Sequence, residues 1–194
     1  MATSQRTRLL RATVELGTER GFASLTLGDI VSRAGVARST FYEHFADKDQ
    51  CYLEAFDYAA ERVLERVLVI GPPPAGDFAS PVHAYIASLL ELGLEEPGLV
   101  RLVAADAEAL GPEAAQRQRA IRSRLADGLV ALRAFLGRDD PSLAPISQVR
   151  ALAIVGAIIE VLQHTFYSSG IDALPGLQSE LATIVLALLE APQA

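Results

Sequence analysis

The sequence predicts an all-α protein of about nine helices. Three observations predict it. No stretch alternates apolar and polar residues with strand-forming composition. Apolar residues recur instead at spacings of three and four along almost the whole chain. The breaks between these periodic stretches are polar or carry glycine or proline. With 194 residues, 51% hydrophobic and 21% charged, the chain is too apolar to be disordered and can bury a sizeable core.

The first helix covers about 4–20, with Leu9, Leu10, Thr13, Val14 and Leu16 on neighbouring turns, and Gly21 supplies a left-handed stop. Thr26-Leu27-Gly28-Asp29 has the form of a capping box with Asp in place of Glu. It opens a second helix that ends at Gly35, and a short third helix covers about 36–45. Asp47-Lys48-Asp49-Gln50 is a similar start for a long fourth helix reaching about residue 69. GPPPAGDFAS at 71–80 is the clearest break. Beyond it the periodicity gives helices at about 81–94, 98–110, 112–136, 146–167 and 177–190. The expected organisation is a helix-turn-helix head at 1–48, a fourth helix at about 48–69 linking it onward, and a helical body at 49–194.

Several function classes are excluded by what the chain lacks. His44, His83 and His164 are far apart and show no paired metal-ligand spacing. No glycine-rich phosphate loop or Gly-x-Ser-x-Gly elbow is present, so no enzyme, metal or cofactor is expected. The single Cys51 forms no intrachain disulfide, and the N-terminus shows no secretory signal. The longest apolar stretches, 151–162 interrupted only by Glu160 and 181–189 interrupted only by Thr183, fall short of the ~20 residues of a spanning helix. A cytoplasmic protein with no membrane partner is therefore expected.

A net charge of −7 argues at first against a nucleic-acid partner. The charge is unevenly spread, however. Residues 1–48 carry a net +2 and residues 49–194 a net −9. A sign change along the chain points to a partner specific to the head.

Within the head, Ala34-Gly35-Val36 joins two short helices in a tight turn. Leu27, Ile30, Val31 and Ala34 give the second helix one apolar face, and Gly35 admits the positive φ of a short turn. Winding the third helix at ~100° per residue places Ala37, Phe41 and Phe45 on its apolar face. Ser39, Tyr42 and Glu43 then face away, with Arg38 and Thr40 on the flanks and His44 nearer the core. Arg38 suits bidentate pairing with guanine O6 and N7, and Ser39, Thr40 and Tyr42 suit donation to phosphate oxygens.

The stretch from Gly21-Phe22-Ala23-Ser24-Leu25-Thr26-Leu27 to Phe41-Tyr42-Glu43-His44-Phe45-Ala46-Asp47-Lys48 resembles the DNA-binding head of the tetracycline-repressor (TetR/AcrR) family. About a dozen spaced positions agree within 28 residues. Two positions depart: Ala37 stands where many members have a capping serine, and Cys51 where leucine is usual. The resemblance implies that Arg38, Ser39 and Tyr42 touch bases or adjacent backbone. It implies that Thr26, Thr40, Tyr42, His44 and Lys48 grip phosphates, with Arg6, Arg8 and Arg11 of the first helix as further phosphate contacts.

The helices at 146–167 and 177–190 are apolar nearly all round, which calls for burial on most sides. A second copy is the expected cover, with Ala153, Gly156 and Ala157 permitting close helix approach and Ile184 and Leu188 also in the interface. The family's last two long helices form such a dimer interface. The resemblance further implies a small effector of unknown identity in the body. Candidate polar contacts are Tyr85, Asp106, Glu160, Gln163, His164 and Tyr167, and candidate walls are Phe56, Leu89, Leu102, Phe135 and Phe166. The effector is expected to be largely apolar, and cationic if Glu160 or Asp106 faces it. The function implied is a ligand-responsive regulator, a repressor binding palindromic double-stranded operator DNA as a homodimer. The alternative is a helical protein-interaction module whose degenerate head binds no DNA.

Overall fold

The computed structural model describes residues 4–68, 79–106, 111–138 and 145–190. Most of the proline-rich break at 71–80, the end of the helix expected at 98–110 and most of the break at 137–145 lie outside them. So does the side chain of Asp106. The described residues hold nine α-helices and no strand, as the periodicity predicts. They are α1 (Gln5–Arg20), α2 (Leu27–Ala34), α3 (Arg38–His44), α4 (Lys48–Leu68), α5 (Ala79–Glu95), α6 (Pro97–Arg101), α7 (Pro112–Leu136), α8 (Gln148–Ser168) and α9 (Gln178–Glu190).

The chain forms two compact units, one of Met1–Arg62 with Gly98–Gln118, the other of Val63–Pro97 with Arg119–Ala194. In the first, Leu9, Leu16, Ile30, Phe41, Phe45, Cys51 and Phe56 are all 2% exposed or less. These are the apolar positions of α1 to α4, gathered into one core. Gly17 of α1 has no side chain because the Phe22 ring occupies the space a Cβ would fill. Phe22 in turn meets Tyr52 edge to face at 5.7 Å, an arrangement the ring quadrupoles favour.

The helix expected at 98–110 is a single α-helical turn and a half, α6, which continues as π-helical turns over Leu102–Asp106. The wider turns spoil the regular bonding of the backbone. The buried Gln118 offsets this, its Nε2 donating to the carbonyls of Val103 and Ala104 at 2.8 and 3.3 Å. Gly98 lies close against Val14 and Thr18, and Arg101 Nη1 donates to the Thr18 carbonyl at 3.3 Å. This segment therefore packs on α1.

In the second unit, α9 packs along α5 and against α8. The stretch at 168–176, expected as an irregular break, contains a 3₁₀ helix at Ile171–Leu177. Leu174 explains it: the side chain is fully buried and approaches Gly93 of α5 so closely that a Cβ there would lie 2.8 Å away. A short segment with one deep apolar anchor reads as a loop in sequence. Ser147 caps α8 through a 3.2 Å bond from the Arg150 amide.

The apolar-stretch reading of membrane spans also needs correction. Gln148–Ser168 and Ile171–Glu190, at 21 and 20 residues, are long and apolar enough to cross a bilayer by length and composition. They reach that length because the helical segments run on past the apolar stretches through charged residues, Arg150 in the first and Glu180 in the second.

Candidate nucleic-acid interface

The α2–turn–α3 geometry follows from three local devices. The first is the capping box anticipated at Thr26. Its Oγ1 accepts from the Asp29 amide at 3.2 Å, and Asp29 Oδ2 accepts from the Thr26 amide at 2.9 Å. The second is Gly35, left-handed at φ 62°, ψ 43°, so that the Val36 amide can reach the Val31 carbonyl at 3.1 Å. The third is the pair of buried rings Phe41 and Phe45, 5.4 Å apart, which pins α3 to the core.

Ala37 departs from the sequence expectation. It is the N-cap of α3, in extended conformation and exposed, so it does not share the apolar face with Phe41 and Phe45. It supplies no side-chain cap, as its methyl group dictates.

With the rings inward, the outer face of α3 presents Arg38, Ser39, Tyr42 and Glu43, all exposed. Tyr42 is 52% exposed although it is a large aromatic residue. The Arg38 guanidinium lies 6.0 Å from the Tyr42 ring centroid, a contact one helical turn apart that limits the rotamers of both. Arg38 makes no ion pair among the described residues. By contrast Arg6 is paired with Glu54, Arg20 with Asp29 at 3.7 Å, and Arg33 with Glu19 at 2.8 Å. Thr40 is half-buried beside this face.

Three of the residues expected to grip phosphate are already engaged or enclosed. The Lys48 ammonium donates to the Leu25 carbonyl at 3.0 Å and lies 5.2 Å from the Tyr52 ring centroid. Tyr52 donates to the same carbonyl at 3.3 Å. The Thr26 hydroxyl donates to Asp29 at 2.5 Å. His44 is half-buried, its Nε2 enclosed and without a hydrogen-bond partner. Lys48 sits in the first turn of α4, whose start is capped by Asp47, with the Gln50 amide donating to Oδ1 at 2.8 Å. Gln50 Oε1 accepts from Ala46, one residue before the position a capping box requires.

The Asp29 carboxyl is held below its ordinary value, first by the Thr26 hydroxyl, then by the Thr26 amide. A depressed carboxylate stabilises the fold fully above its unfolded value, about 3.9, and less as pH falls through the lowered folded value. Thr26→Ala is expected to destabilise the protein by about 0.5–2 kcal/mol at neutral pH. The gap between the thermal melts of the two proteins should narrow as pH falls from about 3.9 through the lowered value of folded Asp29, whose protonation removes its half of the box. A constant difference down to strong acid would contradict this.

Cys51 is fully buried, accepts or donates a 3.3 Å contact with Thr13, and has its thiol pushed up to about 11 by burial. It is a small apolar core residue in the neutral form. Among the described residues no group of three or more His, Cys, Asp or Glu is placed to hold a metal.

The residues expected to line an effector site divide between the units. Phe56 and Leu102 are fully buried in the first. Tyr85, Leu89, Phe135 and the α8 residues belong to the second. Of these, Leu89 is buried, Tyr85 is half-buried with its hydroxyl pushed up by desolvation, and Gln163 and Phe166 are half-buried. Phe135 is 46% exposed, with Arg138 over its ring at 5.8 Å, and Tyr167 is 62% exposed. Glu160 and His164 also face outward. An exposed Glu160 gives no support to a cationic effector.

On α8 an apolar stripe faces solvent: Val149 (77% exposed), Leu152 (40%), Ala153, Gly156 and Ala157. Ile184 and Leu188 of α9 are half-exposed. A Cβ built on Gly156 would meet nothing within 4 Å.

An all-α chain with a helix-turn-helix head and a polar recognition-helix face defines the class of helix-turn-helix regulators. Residues 9–55 match the family described as bacterial regulatory proteins, tetR family. A segment of 95 residues, 49% of this chain, is 28% identical to the transcriptional regulator AcrR of Shigella flexneri, covering 44% of that protein. Another of 45 residues, 23% of this chain, is 40% identical to an uncharacterised helix-turn-helix regulator of Haemophilus influenzae, covering 22% of it. The chain thus spans less than half the length of these curated relatives. Solved structures share the fold over nearly the whole chain. The fatty acid degradation regulator FadR of Bacillus halodurans matches with a TM-score of 0.75 at 16% identity, covering 96% of each chain. FadR of Bacillus subtilis, in complex with stearoyl-CoA, matches at 0.71 and 14% identity, covering 93% of this chain and 97% of that one.

Proposed function

We propose that the protein is a dimeric, effector-responsive repressor that binds a palindromic operator through α3. The observation that carries this is the outer face of α3, where an unneutralised Arg38 is stacked near an exposed Tyr42 and flanked by Ser39 and Thr40. A guanidinium fits guanine O6 and N7 bidentately, and the hydroxyls suit phosphate oxygens. Thr26, His44 and Lys48 then serve chiefly to set the position of this face, through the bonds and enclosure described above.

The exposed stripe of α8 and α9 supports the dimer. Large apolar side chains at such exposure mark an interaction surface when they are contiguous. Two heads related by a two-fold axis read half-sites whose centres lie about 34–36 Å apart or a multiple of that. The relative bound to stearoyl-CoA supports an effector with a long apolar portion. An effector releases DNA only through differential affinity for two arrangements, and α4, which starts in the head and continues into the second unit, is the element to transmit it. Cytoplasmic residence follows from this role.

Selection of duplexes from a random library tests the reading. Enrichment of a palindrome is expected, with log K falling against log salt by about 0.9 per phosphate neutralised. Absence of any enriched sequence would overturn it in favour of an interaction module.

A further inference from the structure

The open stripe of α8 is not wholly apolar. Winding the helix at ~100° per residue places positions 149, 153, 156, 160, 164 and 167 within one sector of about 80°. Of this set Val149, Ala153, Glu160, His164 and Tyr167 are exposed, and Gly156 leaves the space beside it empty. Glu160 and His164 therefore lie in the same strip as the small and apolar residues offered above to a second copy. Among the described residues the Glu160 carboxylate and the His164 imidazole make no ion pair and no hydrogen bond. The Ser168 hydroxyl, one turn on, donates to the backbone carbonyl of His164 at 2.7 Å rather than to its ring. The surroundings of the pair are acidic. α8 packs on α9 and on the 3₁₀ segment Ile171–Leu177, whose charged groups are Asp172, Glu180 and Glu190, all exposed. From α7, Asp127 accepts from Gln148 at 2.8 Å, at the opposite end of α8. The only other charged residue of α8 is Arg150, ten residues before Glu160 and so ~15 Å along the axis.

We propose that pairing of two copies across this stripe takes up protons, so that the dimer carries His164 as the imidazolium set against Glu160. The inference rests on the dimer reading above and adds its regulation. A two-fold axis brings two carboxylates and two imidazoles into the seam. A charge withdrawn from water without a partner costs far more than one left at the surface. With neutral imidazoles the seam holds two uncompensated carboxylates. With two imidazolium ions the charge of the four groups sums to zero, so the stripe is complementary to itself only in its protonated form. The direction follows by linkage. The dimer holds these protons more tightly than the monomer, so its advantage is complete below the ordinary imidazole value, about 6.5, and is lost as pH rises through the range where the dimer releases them. An opposite charge beside a titrating group changes its proton affinity by about tenfold or more, so two copies give about 100-fold in the dissociation constant of the dimer. Operator occupancy follows the same course, because linked half-site binding needs both heads.

The test is sedimentation equilibrium of the full chain at constant ionic strength, from about pH 5.5 to about pH 8.5, the range that spans imidazole titration. The dissociation constant of the wild-type dimer is expected to rise about 100-fold over that range. Glu160→Gln and His164→Gln separate the two groups, and both positions are exposed within the chain, so neither change disturbs its fold. Glu160→Gln removes the anion and should keep the tight constant of the acid form at both ends of the range. His164→Gln leaves the anion without its partner and should keep the weak constant of the alkaline form at both ends. Loss of pH dependence in both variants, with opposite displacement, is a signature that a merely structural role does not give. A wild-type dimer whose constant changes by less than about threefold would overturn the proton linkage and leave the dimer reading standing. A His164→Gln variant that keeps the wild-type course would also overturn it, by assigning the titration to another group. A chain that is monomeric at every pH overturns the dimer reading and this inference together.

Discussion

Arg38→Ala is expected to abolish high-affinity operator binding while leaving the fold intact. Each bidentate arginine–guanine pair contributes about 1–3 kcal/mol of discrimination. A dimer makes two, so the loss is about 30-fold to about 10⁴-fold in affinity. The residue is exposed and makes no ion pair among the described residues, only the contact with the Tyr42 ring, so the melting temperature should not move. The signature lies in the pattern of loss. Wild type should reject a duplex with the contacted guanine replaced, whereas the variant should bind both duplexes equally. Anisotropy titrations on the two duplexes measure it. A variant that weakens equally on every sequence would assign Arg38 to phosphate and contradict base reading.

Gly156→Leu is expected to produce a well-folded monomer. Within the chain the added side chain meets open space, since a Cβ at Gly156 has no heavy atom within 4 Å. Leucine in mid-helix also gains about 0.8–1 kcal/mol of helix propensity over glycine. Across a two-fold interface the same side chain would meet its own copy and force α8 from its partner. Sedimentation at micromolar concentration should then give a monomer. Operator affinity should fall by about 10²–10⁴, because two linked half-site contacts become one. A dimer of unchanged stability would place the interface elsewhere.

The parts legible in the sequence are those governed by neighbours along the chain. Thr26 and Asp29 form their box because the two residues lie three apart, and Gly35 turns left-handed because the turn is too tight for other φ values. The inward Phe41 and outward Tyr42 follow from helical winding alone. What stayed hidden depends on contacts distant in sequence. Lys48 looked free to grip phosphate, yet the carbonyl of Leu25, 23 residues away, takes its ammonium. The π-helical turns at Leu102–Asp106 have two of their carbonyls bonded by Gln118, which comes from a different helix. The expected effector set could not be sorted, since a phenylalanine in an apolar stretch reads the same in a core, as Phe56, or near solvent, as Phe135. The apolar surround of α8 was visible, but periodicity cannot tell a face covered by the same chain from one left open, as Val149 and Leu152 are.

The central claim is sequence-specific recognition by the α3 face. Its most direct test is the ratio of wild-type affinities for the selected palindrome and for a scrambled duplex of the same composition, at physiological salt. The account predicts a ratio of about 10³ or more, the range of specific over non-specific binding. Equal affinities for the two duplexes would contradict it.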